Sequence, residues 1–178
     1  MKKVRNGRSK LVLVLGGAAS GKSQAALTLA GQARPKAFVA TGQALDREMK
    51  ARIKRHQATR SSDWETAEVP TDIAKWLSDN TNIYHTIVID CLTLWLSNLQ
   101  RRCLRDVAVV EATTNLLYAI RATRARVVIV SNELGMGLVP PTKAVRAFRD
   151  LAGRVNQQVA AEADEVYLTI SGLPLRLK

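Results

Sequence analysis

A glycine-rich segment between an aliphatic run and a helix-compatible stretch constrains this chain more than any other feature. Gly16–Ser23 reads Gly-Gly-Ala-Ala-Ser-Gly-Lys-Ser and satisfies the pattern G-x-x-x-x-G-K-[ST]. It follows Leu11–Leu15, whose continuous aliphatic sequence predicts a strand buried on both faces of a parallel sheet. A helix is predicted from Lys22 to about Ala30, ended by Gly31. The order of strand, glycine loop and helix is the context in which this motif binds the phosphates of a nucleotide.

The backbone of this loop explains why it binds phosphate. Glycines let the loop wrap closely around a phosphate, consecutive N–H groups point inward, and the helix N-terminus adds positive potential. We predict that Lys22 reaches the β- and γ-phosphates and acts in catalysis, and that the Ser23 hydroxyl ligates Mg²⁺. The predicted phosphate-binding residues are Gly16, Gly17, Ala18, Ala19, Ser20, Gly21, Lys22 and Ser23.

The rest of the chain repeats the alternation of strand and helix. Aliphatic runs at Ala37–Ala40, Thr86–Asp90 and Val127–Ser131 predict three more strands, with helix-compatible sequence between them. The end of the chain, Glu165–Ile170 and Leu173–Leu177, predicts a closing β-hairpin. The predicted fold class is therefore α/β: a mostly parallel sheet of the P-loop NTPase kind, flanked by helices, with a C-terminal β-hairpin.

Amphipathic spacing predicts three longer helices. The first runs from Asp46 to about Gln57 and carries Met49 and Ile53, with Leu45 one turn before them on the same apolar side, at spacings of four. A short extended piece is predicted at Trp64–Val69, before a proline. The other two predicted helices are Asp106–Thr123 and Thr142–Ala163.

Length and composition favour one globular domain. The chain has 178 residues, of which 47% are apolar and 24% charged, which is enough to bury a hydrophobic core. We expect a basic N-terminal extension over residues 1–10 and a single P-loop domain over residues 11–178. The run Leu11–Leu15 is too short for a signal peptide or a membrane span. Cys91 and Cys103 lack the spacing of a metal or disulfide framework, so we expect free thiols and a cytoplasmic protein.

The charge of the chain is strongly positive. Twenty-seven Lys and Arg against fifteen Asp and Glu give a net charge of +12, which attracts nucleic acid, acidic lipid or an anionic small substrate without distinguishing them. The few aromatic residues are not interleaved with basic ones, as a stacking platform for single strands requires. We therefore expect no nucleic-acid partner, although a P-loop RNA-binding ATPase stays open as an alternative.

One acidic residue lies where a metal-holding carboxylate is needed. Asp90 ends the run Ile87–Ile89, at the edge of the sheet where ligands of α/β proteins bind. From there its side chain can hold Mg²⁺ or a water on that ion. A helix cap is the alternative for an acidic residue directly after a strand. The predicted metal residues are Ser23 and Asp90.

Further stretches resemble one enzyme family, in the order in which that family carries them. They are Thr41-Gly42-Gln43 with Glu48-Met49 and Arg52-Ile53-x-x-His56, then Trp64-x-Thr66-x-Glu68, then Asn132–Pro140 with Phe148–Gln157. With the glycine loop, the sequence resembles the bifunctional adenosylcobinamide kinase and adenosylcobinamide-phosphate guanylyltransferases. The likeness runs from about Leu11 to Lys178, nearly the whole chain.

The resemblance implies two reactions in cobalamin biosynthesis. ATP or GTP phosphorylates the aminopropanol hydroxyl of adenosylcobinamide, and GTP then donates GMP to that phosphate with release of pyrophosphate. The product is adenosylcobinamide-GDP. The implied substrates and cofactors are therefore adenosylcobinamide, adenosylcobinamide-phosphate, GTP, ATP and Mg²⁺, and the implied assembly is a homotrimer.

The resemblance also implies individual site residues. The second reaction goes through a GMP-histidine intermediate, which the likeness assigns to His56. The GTP-contacting positions that it implies are Gly16–Ser23, Thr41, Gly42, Gln43, Gln57, Ala58, Thr59, Arg60, Glu68 and Asp90.

The predicted helix gives His56 a suitable setting. Arg52, His56 and Arg60 are spaced by four, so they share one edge of a helix. Two arginines beside an imidazole disfavour its protonation and leave a neutral nucleophile. A half-buried structural histidine is the alternative. The only other histidine, His85, precedes a predicted strand and is expected at the surface.

Two further questions stay open on the sequence. Another small P-loop metabolite kinase would keep Lys22, Ser23 and Asp90 in their roles and make His56 incidental. Asn132 and the residue after it follow the fourth predicted strand, where they could orient the acceptor or hold the glycine-containing loop that comes next.

Overall fold

The computed structural model describes residues 9–58, 60–102 and 104–178, together with all but two of their side chains. The basic extension before residue 9, Thr59 and Cys103 lie outside the described residues. The side chains of Arg52 and His56 are outside the description too, although their backbone lies in a helix.

The described chain alternates strands and helices. The strands are β1 (Lys10–Gly16), β2 (Lys36–Ala40), β3 (Trp64–Glu68), β4 (Thr86–Asp90), β5 (Arg126–Asn132), β6 (Glu165–Ile170) and β7 (Leu173–Arg176). The helices are α1 (Lys22–Ala30), α2 (Arg47–Ala58), α3 (Ile73–Asp79), α4 (Leu92–Arg101), α5 (Asp106–Ala122) and α6 (Lys143–Glu162). Among the described residues no helix is both long and apolar enough to span a bilayer.

One seven-stranded sheet organises these elements, in the order β3-β2-β4-β5-β1-β6-β7. Strands β1 to β6 are parallel, and β7 returns antiparallel beside β6. The predicted α/β fold class and the C-terminal hairpin are confirmed. Because β4, β5 and β1 are neighbours, their carboxyl ends bring Asp90, Asn132 and Gly16 to one edge of the sheet.

Alternate residues of the central strands build two apolar layers. In β1, Leu11 and Leu13 face a large cluster formed with residues of helices α3 to α6. Val12 and Val14 face a smaller cluster formed with α1. All four side chains are fully buried, which confirms a strand covered on both faces. A glycine loop that leaves the end of this strand therefore starts from a fixed point in the core.

Two helices and one apolar residue differ from the sequence prediction. Helices α3 and α4 were not predicted, although Leu92, Leu96 and Leu99 of α4 follow helical spacing and are buried. Leu45 was predicted on the apolar side of α2, and this is wrong. It precedes the helix, which begins at Arg47, and is 63% exposed.

Candidate active site

The glycine loop connects β1 to α1 and is held by the turn of the C-terminal hairpin. Gly21 has φ +90, a left-handed conformation that favours glycine, and a Cβ added there would lie 2.9 Å from Gly172 Cα. The Gly172 N–H donates to the Ser20 carbonyl oxygen at 2.9 Å. The loop is thus packed against protein on the hairpin side, and its glycine is needed for the close approach.

Lys22 and Ser23 begin α1 at the centre of the site. The Lys22 side chain is only 8% exposed, and its Nζ donates to the Gly17 carbonyl oxygen of the same loop at 2.8 Å. The Ser23 hydroxyl donates to Asp90 Oδ2 at 2.9 Å. Two side chains 67 residues apart in sequence therefore meet, because β4 ends beside the loop that leaves β1.

The pair of Ser23 and Asp90 fits the chemistry of Mg²⁺. Hydroxyl and carboxylate oxygens are the ligands this ion prefers, and it is usually held by one or two protein oxygens together with substrate phosphates and water. In the part of the chain that the structure describes, no group of three or more His, Cys, Asp or Glu could hold a metal by itself. Any Mg²⁺ bound here would depend on the nucleotide to complete its ligands.

Two cavities meet at these residues. The larger, of about 540 Å³, lies over the glycine loop and also touches Glu48 and Arg55 of α2. The smaller, of about 160 Å³, extends past Met49 and Leu94 towards Glu68 and is mainly apolar. Residues common to both are Lys22, Ser23, Phe38, Arg60 and Asp90. Both cavities combine apolar and charged lining residues, and the charged residues Lys22, Arg60 and Asp90 belong to both.

Arg60 lies between the two cavities and is held by its surroundings. Its guanidinium carbon is 3.9 Å from the centre of the Phe38 ring, a cation–π arrangement. Its Nη1 donates to Thr66 Oγ1 at 3.0 Å. Burial lowers the pKa of the Arg60 guanidinium, and the nearby charge of Asp90 acts in the opposite direction. An arginine remains charged under such conditions, so Arg60 brings a fixed positive charge to the site.

Thr41 is bonded to the end of β4 beside the site. Its fully buried hydroxyl donates to the Cys91 carbonyl oxygen and accepts from the Cys91 N–H, both at 2.8 Å. Asn98 donates from Nδ2 to the Thr41 carbonyl oxygen at 2.8 Å. These bonds lock the start of the β2–α2 connection onto the end of β4. Burial raises the pKa of the Cys91 thiol to about 12, so this cysteine is not a nucleophile.

A buried polar network supports Asn132 at the tip of β5. Ser131 Oγ donates to Asn156 Oδ1 at 2.7 Å, and Asn156 Nδ2 donates to the Asn132 carbonyl oxygen at 3.0 Å. The Asn132 N–H donates to Thr93 Oγ1 at 2.9 Å. Asn132 itself lines the smaller cavity. Helices α4 and α6 therefore fix the backbone from which the Asn132 side chain meets the cavity.

Residues 12–177 match the model of the CobU family, described as cobinamide kinase / cobinamide phosphate guanyltransferase. The chain is 39% identical to the bifunctional adenosylcobalamin biosynthesis protein CobU of Salmonella typhimurium, over 94% of this chain and 99% of that protein. It is also 38% identical to the bifunctional adenosylcobalamin biosynthesis protein CobP of Pseudomonas aeruginosa, over 93% of this chain and 96% of that protein.

The chain belongs to the cobinamide kinase / cobinamide phosphate guanyltransferase family. A solved KaiC-like protein of Pyrococcus horikoshii OT3 shares its fold, with a TM-score of 0.52 at 11% identity, over 90% of this chain and 71% of that one. That likeness concerns the fold alone. The resemblance stated from sequence motifs is therefore confirmed at the level of the family.

The GTP contacts that the family resemblance predicts outside the phosphate loop do not all line the same cavity. Gly42, Gln57, Arg60 and Glu68 line the smaller cavity. Gln43 lines a separate groove, which Glu68 lines too. Ala58 ends α2 and is exposed. Thr59 lies outside the described residues.

One detail of the histidine prediction needs correction. Helix α2 ends at Ala58, so Arg60 does not share a helical edge with Arg52 and His56. Its N–H instead donates to the Gln57 carbonyl oxygen in a turn, and its side chain stacks on Phe38 as described. The cause is the turn after α2, which redirects the chain towards β3. His85 is exposed, as predicted.

Several residues that line the cavities were not among the predicted site residues. Phe38, Leu94, Glu48 and Arg55 line the cavities. For Phe38 a signal existed: it lies two residues before the end of β2, on the same face as Ala40, which pairs with Asp90. The alternation of strand side chains could have placed it near the carboxyl edge.

Proposed function

We propose that this protein phosphorylates adenosylcobinamide with ATP or GTP and then transfers GMP from GTP to adenosylcobinamide-phosphate, giving adenosylcobinamide-GDP and pyrophosphate. The observation that carries the proposal is the meeting of Lys22, Ser23 and Asp90 at the glycine loop of a chain that belongs to this family. The reactions belong to cobalamin biosynthesis.

In the kinase step, the loop N–H groups and the N-terminus of α1 bind the phosphates. Lys22 lies over the β- and γ-phosphates and neutralises charge that develops as the γ-phosphoryl group moves. Ser23 and Asp90 would hold Mg²⁺, which when bound would neutralise phosphate charge and orient the phosphates. The acceptor oxygen forms the new bond to the γ-phosphorus and loses its proton to solvent. The bond from that phosphorus to the nucleoside diphosphate breaks, and its electron pair leaves with the diphosphate.

In the second step, an imidazole nitrogen of His56 attacks the α-phosphorus of GTP and pyrophosphate leaves. The corrinoid phosphate then attacks the same phosphorus, and the imidazole is released. The described part of α2 supports this assignment, since Met49, Ile53 and Gln57 of that helix line the smaller cavity. The remaining proposed GTP contacts are Gly16–Ser23, Thr41, Gly42, Gln43, Ala58, Thr59, Arg60, Glu68 and Asp90.

The proposal extends to cofactor, assembly and compartment. Mg²⁺ is the proposed cofactor, because Ser23 and Asp90 offer the oxygen ligands that it prefers. We also propose a homotrimer in the cytoplasm without a nucleic-acid partner. Light scattering on the purified protein tests the trimer by mass.

One incubation tests the proposed function. The purified full chain is incubated with adenosylcobinamide, Mg²⁺ and GTP. The corrinoids are then separated by chromatography and identified by mass spectrometry. We expect adenosylcobinamide-phosphate first and adenosylcobinamide-GDP later. Recovery of unchanged adenosylcobinamide beside hydrolysed GTP would contradict the proposal and favour a nucleotide-hydrolysing protein.

A further inference from the structure

An exposed apolar segment follows the strand that ends at the candidate active site. Residues 135–139, which we call the loop apex, are exposed throughout. Its three large apolar side chains are Met136, Leu138 and Val139, which are 76%, 96% and 70% exposed. Single exposed apolar residues are ordinary on protein surfaces, whereas three within four positions form a patch that indicates a binding surface.

Hydrogen bonds hold the backbone on both sides of the loop apex. Before it, the Glu133 N–H donates to the Gly16 carbonyl oxygen at 3.0 Å, which ties the segment to the first residue of the phosphate loop. After it, Arg146 Nη1 donates to the carbonyl oxygens of Pro140 and Pro141 at 2.9 and 2.8 Å. The protein therefore presents these side chains outward from a held backbone.

The loop apex lies near enough to the smaller cavity to contact an acceptor that reaches into it. Asn132 lines the smaller cavity, and at roughly 3.5 Å per residue Leu138, six residues later, lies within roughly 20 Å of it. That cavity has about 160 Å³, whereas pockets that enclose drug-sized ligands have roughly 300–1,000 Å³. A corrinoid is larger still. Its ring must remain outside while only the arm with the hydroxyl enters.

The chemistry of the loop apex suits the ring rather than the nucleotide. The sequence Gly135-Met-Gly-Leu-Val139 has no charged side chain, so none of its side chains can form an ion pair with a phosphate. A corrinoid ring presents a broad carbon face and methyl groups, with neutral amide arms at its rim. Apolar side chains gain free energy by covering such a face, and backbone N–H and C=O groups can bond to the amides.

We propose that Met136, Leu138 and Val139 form the surface on which the corrinoid ring of the acceptor lies, with its aminopropanol arm passing Asn132 towards the phosphate loop. The inference rests on the proposed function, since it names where the acceptor of that reaction binds.

The test uses the full chain with the double substitution Met136→Ser and Leu138→Ser. Both side chains are exposed, so the variant should fold, and circular dichroism checks this. The control is Ile83→Ser, a 52% exposed residue that precedes β4 at the opposite edge of the sheet. Kinase rates are measured at varied concentrations of adenosylcobinamide and, separately, at varied concentrations of GTP.

We expect the KM for adenosylcobinamide to rise about tenfold or more in the double variant, since burial of two such side chains contributes on that order. The KM for GTP and the kcat at saturating acceptor should stay unchanged, and the control should match the unmodified chain. An unchanged acceptor KM in an active double variant would overturn the inference alone. A changed mass by light scattering would overturn it too, by making the loop apex a contact between copies. No phosphorylation by the unmodified chain would contradict the proposed function itself.

Discussion

The phosphate loop and helix α2 are held by the protein to different degrees. Lys22 is buried at the N-terminus of α1, and Ser23 bonds to Asp90 on a central strand. In α2, by contrast, the only described side chains that are even half-buried are Met49 and Ile53. The basic residues Arg47, Lys50, Lys54 and Arg55 are all exposed on α2.

The difference indicates that packing of the core shapes the phosphate loop, whereas ligand binding accounts for helix α2. The phosphate loop is part of the route by which β1 joins α1, so the fold itself shapes it. Helix α2 buries little, and of its exposed basic residues Arg55 lines the larger cavity, where its charge attracts a phosphate. We infer that α2 serves the nucleotide more than the fold, and the following substitutions test this contrast.

Lys22→Ala should have the largest effect. It removes the buried ammonium that neutralises charge during transfer, so we expect kcat for phosphorylation of adenosylcobinamide to fall by about 10²-fold or more. Steady-state kinetics measure this, and circular dichroism checks that the variant is folded. Lys50→Ala, at an exposed position on α2, is the control and should retain most of the activity. Similar rates for the two variants would break the contrast between loop and helix.

Asp90→Asn should change the dependence on Mg²⁺. The amide keeps the size of the side chain and loses its charge, so the concentration of Mg²⁺ for half-maximal kinase activity should rise by about tenfold. A titration with MgCl₂ at fixed GTP measures it. Asp79→Asn, which changes an exposed partner of Lys75 on α3, should leave the Mg²⁺ concentration for half-maximal activity unchanged. Overlapping curves for Asp90→Asn and the unmodified chain would make Asp90 a structural residue only.

Asn156→Ala should affect stability first. The substitution leaves Ser131 Oγ and the Asn132 carbonyl oxygen without the bonds that Asn156 supplies. Loss of a buried partner costs about 1–3 kcal/mol in the free energy of unfolding. Urea denaturation measures the loss. The adjacent Gln157→Ala, at an exposed position, should stay within about 0.5 kcal/mol. Equal stabilities for the two variants would show that the network does not stabilise β5.

The sequence predicted those parts of the molecule that local patterns determine. The glycine loop, its strand and its helix were found because a motif and hydrophobic periodicity agree on them. Helix α3 was missed because seven residues hold too few turns for a helical period to emerge. Helix α4 was missed although the buried leucines at positions 92, 96 and 99 carry a readable pattern.

The assembled site was less predictable than the loop. Arg60 stacks on Phe38 only because the turn after α2 and the pairing of β2 with β3 bring together residues 22 positions apart. A helical wheel of the sequence placed Arg60 beside His56 instead, since nothing local marks the end of α2 at Ala58. Likewise, the role of Thr41 in locking β2 to β4 depends on strand order, which no single segment contains.

The most direct test of the division between loop and helix uses GTP labelled in the α-phosphate. Incubation with the unmodified chain should leave label covalently on the protein, released by mild acid and retained in alkali, as expected of a phosphoramidate. His56→Ala should lose this label and guanylyl transfer while it keeps kinase activity, because the phosphate loop suffices for γ-phosphoryl transfer. His85→Ala, which changes an exposed histidine, should behave like the unmodified chain. Label that persists on folded His56→Ala, or a normal rate of guanylyl transfer by it, would contradict the account.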